Sequence, residues 1–395
     1  MSKQKKNIAK ETKVAHLGRD PAKQFGAVSP PVYHASTILF ETVDEMEAAG
    51  TKPYGNPYYG RRGTPTQFQL QAAIAELEGA DHCLLAPSGL AACTTALLAF
   101  VKTGDHILVT DSVYGPTRKY CDQVLKRMGV ETTYYDPLIG AGIEELVRDN
   151  TAVIFLESPG SLTFEVQDVP AITKVARAKG IVTIIDNTWA TPLYLDVFGL
   201  GVDICVQAAT KYIVGHADAM VGTISCQQKH WTRLFKTHAA VGLHTAPDDA
   251  FLAARGLRTL ATRLKQHEAT GVALAKWLAT RPEVKQVRHP ALPGAPGHEL
   301  WKRDFTGACG LFAIELNDYS DAAVHAMLDG MGLFGMGFSW GGFESLIMYA
   351  KPAPDRSATP WEGFGPLLRI HAGLENIDDL ITDLDAGFER LRGKG

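Results

Sequence analysis

The strongest constraint on the fold is a regular alternation of strand-like and helix-like segments that begins near residue 64. Helical periodicity in TPTQFQLQAAIAELEG (64–79) and GLAACTTALLAFV (89–101) alternates with short apolar runs, among them HCLLAPS (82–88), DHILVTD (105–111) and IVTIIDN (181–187). Several of these runs are apolar on both faces, as expected for strands of a parallel sheet that helices cover on both sides. The sequence therefore predicts an α/β fold built on a mostly parallel sheet.

A second, smaller α/β unit is predicted in the last third of the chain. A helical run from about Pro247 to Arg281 leads into it, and GACGLFAIEL (307–316) and LLRIHAGL (367–374) are typical of strands. The 395 residues, 46% of them hydrophobic, exceed the roughly 250–300 residues at which a single core stops growing. We predict a larger domain over residues 63–256 and a smaller one over residues 257–395.

The first 62 residues favour an extended arm over a globular unit. They are rich in Pro and Tyr in SPPVYHASTILFE (29–41) and KPYGNPYYGRRG (52–63). Arms of this kind often embrace a neighbouring subunit.

Composition argues against several classes of partner. The net charge is −4 and the basic residues are dispersed beyond the extreme N-terminus, so a nucleic-acid partner is not expected. The longest apolar stretch, AACTTALLAFV (91–101), is far shorter than the ~20 residues of a membrane span. The six cysteines form no CxxC pair and the histidines no HExxH motif, which predicts buried free thiols, no metal and a cytoplasmic protein.

Polar residues follow the predicted strands where those strands end. Ligands of open α/β sheets bind beyond the carboxyl ends of the strands. The candidates at these ends are Ser88 and Gly89, Asp111 and Tyr114, Glu157 and Ser158, Asp186 and Asn187, and Thr210 and Lys211.

Lysine at such an edge has a specific chemical use. A partly desolvated lysine can act as a nucleophile or base, and its best-known use is a covalent link to the aldehyde of pyridoxal phosphate. Asp186 could pair with the cofactor's ring nitrogen, and the helix start at Ser88 and Gly89 could bind its phosphate. Taken singly, Lys211, Asp186 and Tyr114 also have ordinary structural explanations as a loop lysine, a cap and a packed aromatic residue.

Ten segments together change that balance, because their order resembles that in the pyridoxal-phosphate enzymes of cysteine and methionine metabolism. The resemblance extends from about Thr12 to Arg392 and implies the fold-type I architecture of those enzymes. The segments are SPPVYHAST, YYGRRGTPT, the Ser88-Gly89 helix start, DSVYGPT, FLESPGSLTFEVQDVPAI, IDNTWATP, QAATKYIVGHADAMVG, RGLRTLATRL, SWGGFESL and LLRIHAGLEN.

The resemblance implies roles around the pyridoxal 5′-phosphate cofactor. Lys211 links to the aldehyde, Asp186 pairs with the pyridinium, and Tyr114 stacks on the ring. The phosphate is held by Gly89, Leu90 and Thr210 and, from the adjacent subunit's arm, by Tyr59 and Arg61. The protein should therefore be at least a dimer, and the resemblance favours a tetramer.

The resemblance also implies the residues that handle a small amino-acid substrate. Ser339 and Arg369 match the positions that receive its α-carboxylate, a task that suits the planar fork of arginine. Trp340 and Tyr59 are further substrate contacts, and the catalytic residues are expected to be Lys211, Tyr114 and Tyr59.

Three residues resemble the cystathionine β-lyase branch of the family: Trp189, Ala208 and Trp340. That branch cleaves the Cβ–S bond of cystathionine to give homocysteine, pyruvate and ammonia, in methionine biosynthesis. A γ-lyase or γ-replacement transferase of the same fold remains an alternative, and products separate the two. A cofactor-binding regulator without turnover is a remote one, since the first 60 residues show no convincing helix-turn-helix. A nicotinamide-dependent dehydrogenase is disfavoured because GMGFSWGG (335–342) has the wrong spacing and context.

Overall fold

A computed structural model describes residues 8–51, 54–362 and 364–394. The strands in this part of the chain form two sheets, one of seven strands and one of four. The strands are β1 His82–Ala86, β2 His106–Thr110, β3 Glu131–Tyr135, β4 Thr151–Glu157, β5 Val182–Asp186, β6 Ile204–Ala208, β7 Gly222–Cys226, β8 Val284–Arg288, β9 Leu311–Leu316, β10 Leu346–Ala350 and β11 Leu367–His371.

The α-helices cover both faces of the larger sheet and one face of the smaller. They are α1 Lys10–His16, α2 Val43–Thr51, α3 Pro65–Glu78, α4 Gly89–Phe100, α5 Gly115–Tyr120, α6 Val169–Lys179, α7 Thr191–Tyr194, α8 Gln228–Ala240, α9 Pro247–Leu257, α10 Leu260–Leu278, α11 His298–Asp304, α12 Asp321–Asp329 and α13 Ile377–Arg392. None of these described helices has the length and apolar character needed to cross a membrane.

The larger sheet has the order β1-β7-β6-β5-β4-β2-β3, and its strands β2 to β6 are parallel. Strand β7 alone runs against its neighbours, β1 and β6. The connection from β6 to β7 can therefore be a loop without a crossover helix. Lys211 lies in this loop, at the carboxyl end of β6.

Both faces of the larger sheet are buried, as the apolar runs predicted. Along β4, Ile154 and Leu156 belong to one hydrophobic cluster, whereas Val153 and Phe155 belong to a second cluster on the opposite face. The smaller sheet also has two covered faces: Phe312 on β9 packs beneath α10, α12 and α13, while its neighbour Leu311 belongs to the core of the larger unit.

Local signals mark the ends of the two helices that flank β1 in the sequence. Thr64 and Gln67 form a reciprocal capping box at the start of α3, which ends at Gly79 in the left-handed region (φ 74°). Helix α4 begins directly after β1, and the Ser88 hydroxyl caps it by accepting a hydrogen bond from the N–H of Ala91 at 3.1 Å.

Several elements differ from the sequence-based expectation. The helical run predicted from Pro247 to Arg281 is two helices, α9 and α10, and residues 115–129 are α-helical only over α5, continuing as π- and 3₁₀-turns. Strands β8 and β10 and helix α8 were not predicted from the sequence.

The N-terminal arm carries two helices, α1 and α2, between irregular segments. Its basic first seven residues lie outside the described part of the chain. The domain boundaries predicted after residues 62 and 256 stay a prediction.

Candidate active site

One cavity of about 390 Å³ opens at the carboxyl ends of the strands of the larger sheet. Nine of the eleven predicted site residues line it, brought together from segments up to 280 positions apart in the sequence. They are Gly89, Leu90, Tyr114, Asp186, Thr210, Lys211, Ser339, Trp340 and Arg369.

Lys211 is the cation nearest the centre of this set. Its Nζ donates a hydrogen bond to the Ser339 hydroxyl at 2.6 Å and lies 5.4 Å from the ring centroid of Trp340. Burial lowers the pKa of Lys211 to about 8, with help from the positive charge of Arg369 and against the pull of Asp186. A far larger fraction of this amine is therefore neutral near pH 7 than of an ordinary lysine.

Two carboxylates form the floor of the cavity. Asp186 ends β5, and its Oδ1 accepts hydrogen bonds from the backbone N–H and the hydroxyl of Thr188. Glu157 ends the neighbouring strand β4 and accepts a hydrogen bond from the N–H of Tyr114 at 2.7 Å. Burial raises the pKa of both acids. Such a floor favours a cation placed against it.

A residue of the smaller sheet, Arg369, forms another side of the cavity. Arg369, 9% exposed in β11, donates from Nη2 to the carbonyls of Ser339 (2.9 Å) and Gly337 (3.3 Å). Its remaining N–H groups are available to an anion. Ser339 has φ +80°, a left-handed conformation that is rare for a residue with a side chain. This turn places the Ser339 hydroxyl on Lys211 and its carbonyl on Arg369.

A third wall is the start of α4. The first backbone N–H groups of a helix have no partner within the helix, and they attract anions. A Cβ atom at Gly89 would lie 2.4 Å from the Cβ of Ala208, so glycine permits the close approach of α4 to the end of β6. The Thr210 hydroxyl accepts a hydrogen bond from the N–H of Val221 (2.9 Å) and donates one to the carbonyl of Val221 (3.2 Å). Its role in binding the phosphate stays a prediction.

Comparison with known proteins gives this cavity a context. A family model described as Cys/Met metabolism PLP-dependent enzyme matches residues 11–389. The chain belongs to this family. It is therefore an enzyme that depends on pyridoxal phosphate and acts on a small amino-acid substrate.

Individual relatives cover nearly the full chain. A putative cystathionine beta-lyase of Rhizobium johnstonii is 49% identical over 386 residues, 97% of this chain and 96% of the relative. The cystathionine beta-lyase MetC of Escherichia coli is 44% identical over 388 residues, 96% of this chain and 98% of the relative. The crystal structure of metB from Corynebacterium glutamicum has 29% identity and a TM-score of 0.91, covering 98% of this chain and 99% of that one.

The residues of the cavity fit pyridoxal phosphate. The amine of Lys211 suits its aldehyde, the α4 N-terminus suits its phosphate, and the carboxylate of Asp186 suits its protonated ring nitrogen. In Asp186, Oδ1 has two strong donors, whereas Oδ2 has only the Cys93 thiol at 3.7 Å among the described residues. A carboxylate oxygen with so weak a partner can accept a further N–H.

Two predicted residues do not line the cavity. Tyr59 is 43% exposed, and the Arg61 guanidinium lies 5.7 Å from its ring centroid and donates to the carbonyl of Ala239 at 3.4 Å. Large apolar side chains of the same N-terminal region are exposed as well: Phe25, Val28, Leu39, Val43 and Met46. A role for Tyr59 and Arg61 in a neighbouring subunit's site stays a prediction.

The cavity also contains residues for which the sequence predicts no specific role. Glu157 is predicted only as a polar strand end, and Leu162, Met220 and the 90% exposed Phe338 carry no prediction from the sequence. Glu157 could have been found from the alignment of two strand ends, ending in Glu157 and Asp186. The apolar rim carries no such signal, because exposed apolar residues in loops are common.

Proposed function

We propose that the enzyme is a carbon-sulfur β-lyase that cleaves L-cystathionine and other S-substituted cysteines. Cystathionine and water would give homocysteine, pyruvate and ammonia, a reaction of methionine biosynthesis. Relatives bearing the name cystathionine beta-lyase at 44–49% identity support the substrate. The observation that carries the chemistry is the 2.6 Å contact of Lys211 Nζ with Ser339, in one cavity with Asp186 and Arg369.

Arg369 and Ser339 orient the substrate. The free N–H groups of Arg369 bind the α-carboxylate, and its bonds to the carbonyls of Gly337 and Ser339 fix the guanidinium plane. The Ser339 hydroxyl contacts Lys211 and its carbonyl contacts Arg369, so a substrate whose α-carboxylate binds Arg369 would have its Cα near Lys211.

Lys211 moves the protons. Its lowered pKa suits a general base that removes the Cα proton and then returns a proton to the sulfur as the Cβ–S bond breaks. When bound, pyridoxal phosphate supplies the electron sink for the negative charge at Cα. Asp186 holds the proton on the ring nitrogen that makes this sink effective. Tyr114, and Tyr59 from the neighbouring subunit, assist the protonation of the leaving thiol.

Three residues favour β-cleavage over γ-cleavage. Trp189, 5% exposed, is fixed by a bond from its indole N–H to the carbonyl of Leu311 at 2.9 Å and by edge-to-face packing on Phe305. Trp340 packs edge-on against Tyr212 at 5.4 Å. With Ala208, both tryptophans line the cavity and match the β-lyase pattern.

The assembly we propose is a homo-oligomer, at least a dimer and by the family pattern a tetramer. Tyr59 and Arg61 of one subunit would contact the cofactor phosphate of the next. A cytoplasmic location fits the six cysteines, which are all buried free thiols.

The test is to incubate the holoenzyme with L-cystathionine and identify the products by mass spectrometry. Pyruvate with homocysteine, absent in Lys211→Ala and present in the exposed control Lys229→Ala, would support the proposal. 2-Oxobutyrate with cysteine would place the enzyme in the γ-cleaving branch. Retained turnover in Lys211→Ala would refute the role of Lys211.

A further inference from the structure

Two acidic side chains stand next to each other at the floor of the cavity. Glu157 and Asp186 end the adjacent parallel strands β4 and β5, and their Cα atoms are partners in the register. Both line the cavity, and protein encloses them on their other sides. Two carboxylates on neighbouring strand positions repel each other in a low-dielectric site, so ionising both costs free energy.

Hydrogen bonds decide which of the two keeps the negative charge. Asp186 accepts from three donors: the N–H of Thr188 (2.9 Å), its hydroxyl (2.5 Å) and the thiol of Cys93 (3.7 Å). The Glu157 carboxyl accepts one hydrogen bond among the described residues, from the N–H of Tyr114. Donors stabilise the ionised form, so the charge resides on Asp186 and the shared proton on Glu157.

The hydrogen bond from the Tyr114 N–H to the Glu157 carboxyl holds Tyr114 in place. Tyr114 precedes the first turn of α5, and its carbonyl accepts from Thr117 (2.9 Å) and Arg118 (3.1 Å) within that helix. Its N–H lies outside the helical pattern and has the Glu157 carboxyl as its partner. Tyr114 is thus tied on one side to α5 and on the other to β4.

We propose that Glu157 is a positioning residue: as an uncharged acid, it holds the backbone of Tyr114, and with it the ring beside the cofactor, while Asp186 alone carries the charge of the floor. The proposal rests on the cofactor site and on the proposed place of Tyr114, not on which C–S bond the enzyme breaks. Burial and the neighbouring Asp186 raise the pKa of Glu157 well above its usual range, in agreement with a neutral acid. The titratable groups around it are Asp186 on β5, Cys93 on α4 and Tyr114 itself.

Two variants separate the acceptor from the charge. Glu157→Gln keeps an oxygen for the Tyr114 N–H and removes the ionisable group, whereas Glu157→Met keeps the approximate volume and removes the acceptor. Ser158→Ala is the control, because it deletes a hydrogen bond at the same strand end, to the N–H of Gln167, without touching Tyr114.

The first readout is the visible circular dichroism of the bound cofactor in the holoenzyme, which responds to how the ring is packed. Glu157→Gln and Ser158→Ala should keep the wild-type signal. Glu157→Met should lose a large part of it and about tenfold in kcat/KM, the usual effect of leaving a buried donor without a partner. A wild-type signal in Glu157→Met would overturn the proposal.

The second readout needs only Glu157→Gln, so it stands even if the Met variant does not fold. Removing a neutral acid should leave the pKa seen in the visible absorbance of the holoenzyme unchanged. Removing an ionised one would lower that pKa by about 1 or more, because an anion near the cofactor favours its protonated form. Such a drop would overturn the proposal. The circular dichroism and the absorbance pKa are both independent of lyase activity, so a failure of the proposed reaction would be recognised separately in the product assay.

Discussion

Glu78, the last residue of α3, is a buried acid that should make the enzyme less stable as the pH rises. The side chain is 5% exposed, and its Oε1 accepts hydrogen bonds from the Gln207 amide and the Cys205 thiol (3.4 Å). Burial outweighs these bonds and raises the pKa of Glu78 from 4.5 to about 7. The unfolded chain therefore loses this proton at a lower pH than the folded protein does.

The size of the effect follows from linkage between protonation and folding. A difference of 2.5 between the two pKa values, about 7 minus 4.5, corresponds to about 3.4 kcal/mol of stability. It is present below pH 4.5 and is lost as the pH rises to about 7. About 2.5 kcal/mol of it falls between pH 5 and pH 8.

Glu78→Gln removes the titration and keeps an oxygen that can accept from Gln207. For 395 residues the unfolding entropy is about 0.8 kcal/mol/K, so the midpoint of variant minus wild type should rise by about 3 °C between pH 5 and pH 8. Differential scanning calorimetry of both holoenzymes at the two pH values measures this, and the subtraction cancels the titration of all other groups.

Glu76→Gln on the same helix is the control, since Glu76 is partly exposed and faces Lys13 at 3.9 Å. Its midpoint difference from wild type should stay constant with pH. A constant difference for Glu78→Gln as well, or one that falls as the pH rises, would refute the reasoning that burial keeps Glu78 protonated.

Three further predictions concern Lys211 and two residues that stabilise the site from outside the cavity. The apoenzyme should bind pyridoxal phosphate at a rate that rises up to about pH 8 and then levels off, because the lowered pKa of Lys211 makes about 10% of the amine neutral at pH 7. Stopped-flow absorbance measures this rate, and a rate that still rises tenfold from pH 9 to pH 10 would contradict the prediction. Arg263→Met should lower the thermal midpoint by about 3 °C and weaken cofactor retention. The Arg263 guanidinium donates to the carbonyls of Tyr212 (2.6 Å) and Gly256 (2.8 Å), and its removal takes this donor from both carbonyls. An unchanged midpoint in calorimetry would count against this prediction. Asp111→Asn should make residues 355–360 sensitive to limited proteolysis. The buried Asp111 carboxylate accepts hydrogen bonds from the backbone N–H groups of Ser357, Ala358 and Thr359, and so holds this segment in place. Resistance to proteolysis equal to that of the wild type would refute this role.

Arg263 also gives a physical role to a motif that the function alone does not explain. In RGLRTLATRL (255–264), Arg258 donates to the carbonyls of Val14 and Leu17 in the N-terminal region, and Arg263 to the backbone just after Lys211. Gly215 allows this approach, because a Cβ there would lie 2.1 Å from Arg263 Nη1. The motif thus fastens both the N-terminal region and the loop of the reactive lysine to the α9–α10 junction.

Elements with a local pattern could be predicted from the sequence. Helices α3 and α4 begin and end within one residue of the periodic segments 64–79 and 89–101, and the strands before Asp186 and Lys211 are apolar runs that stop at a polar residue. The ordered motifs further identified the family and the cofactor, and the family match confirms both. These signals can be recognised in the sequence because each depends on residues only a few positions apart.

The contacts between distant groups depend on how the elements pack together. The antiparallel β7, the bond of Lys211 to Ser339, the pairing of Glu157 with Asp186 and the carbonyls around Arg263 all join residues from separate elements. Their charge states follow from that packing, because desolvation and hydrogen-bond donors shift a pKa only once the chain has enclosed the group. No local period encodes such contacts, so a lysine at a strand end becomes a reactive amine only in the folded protein.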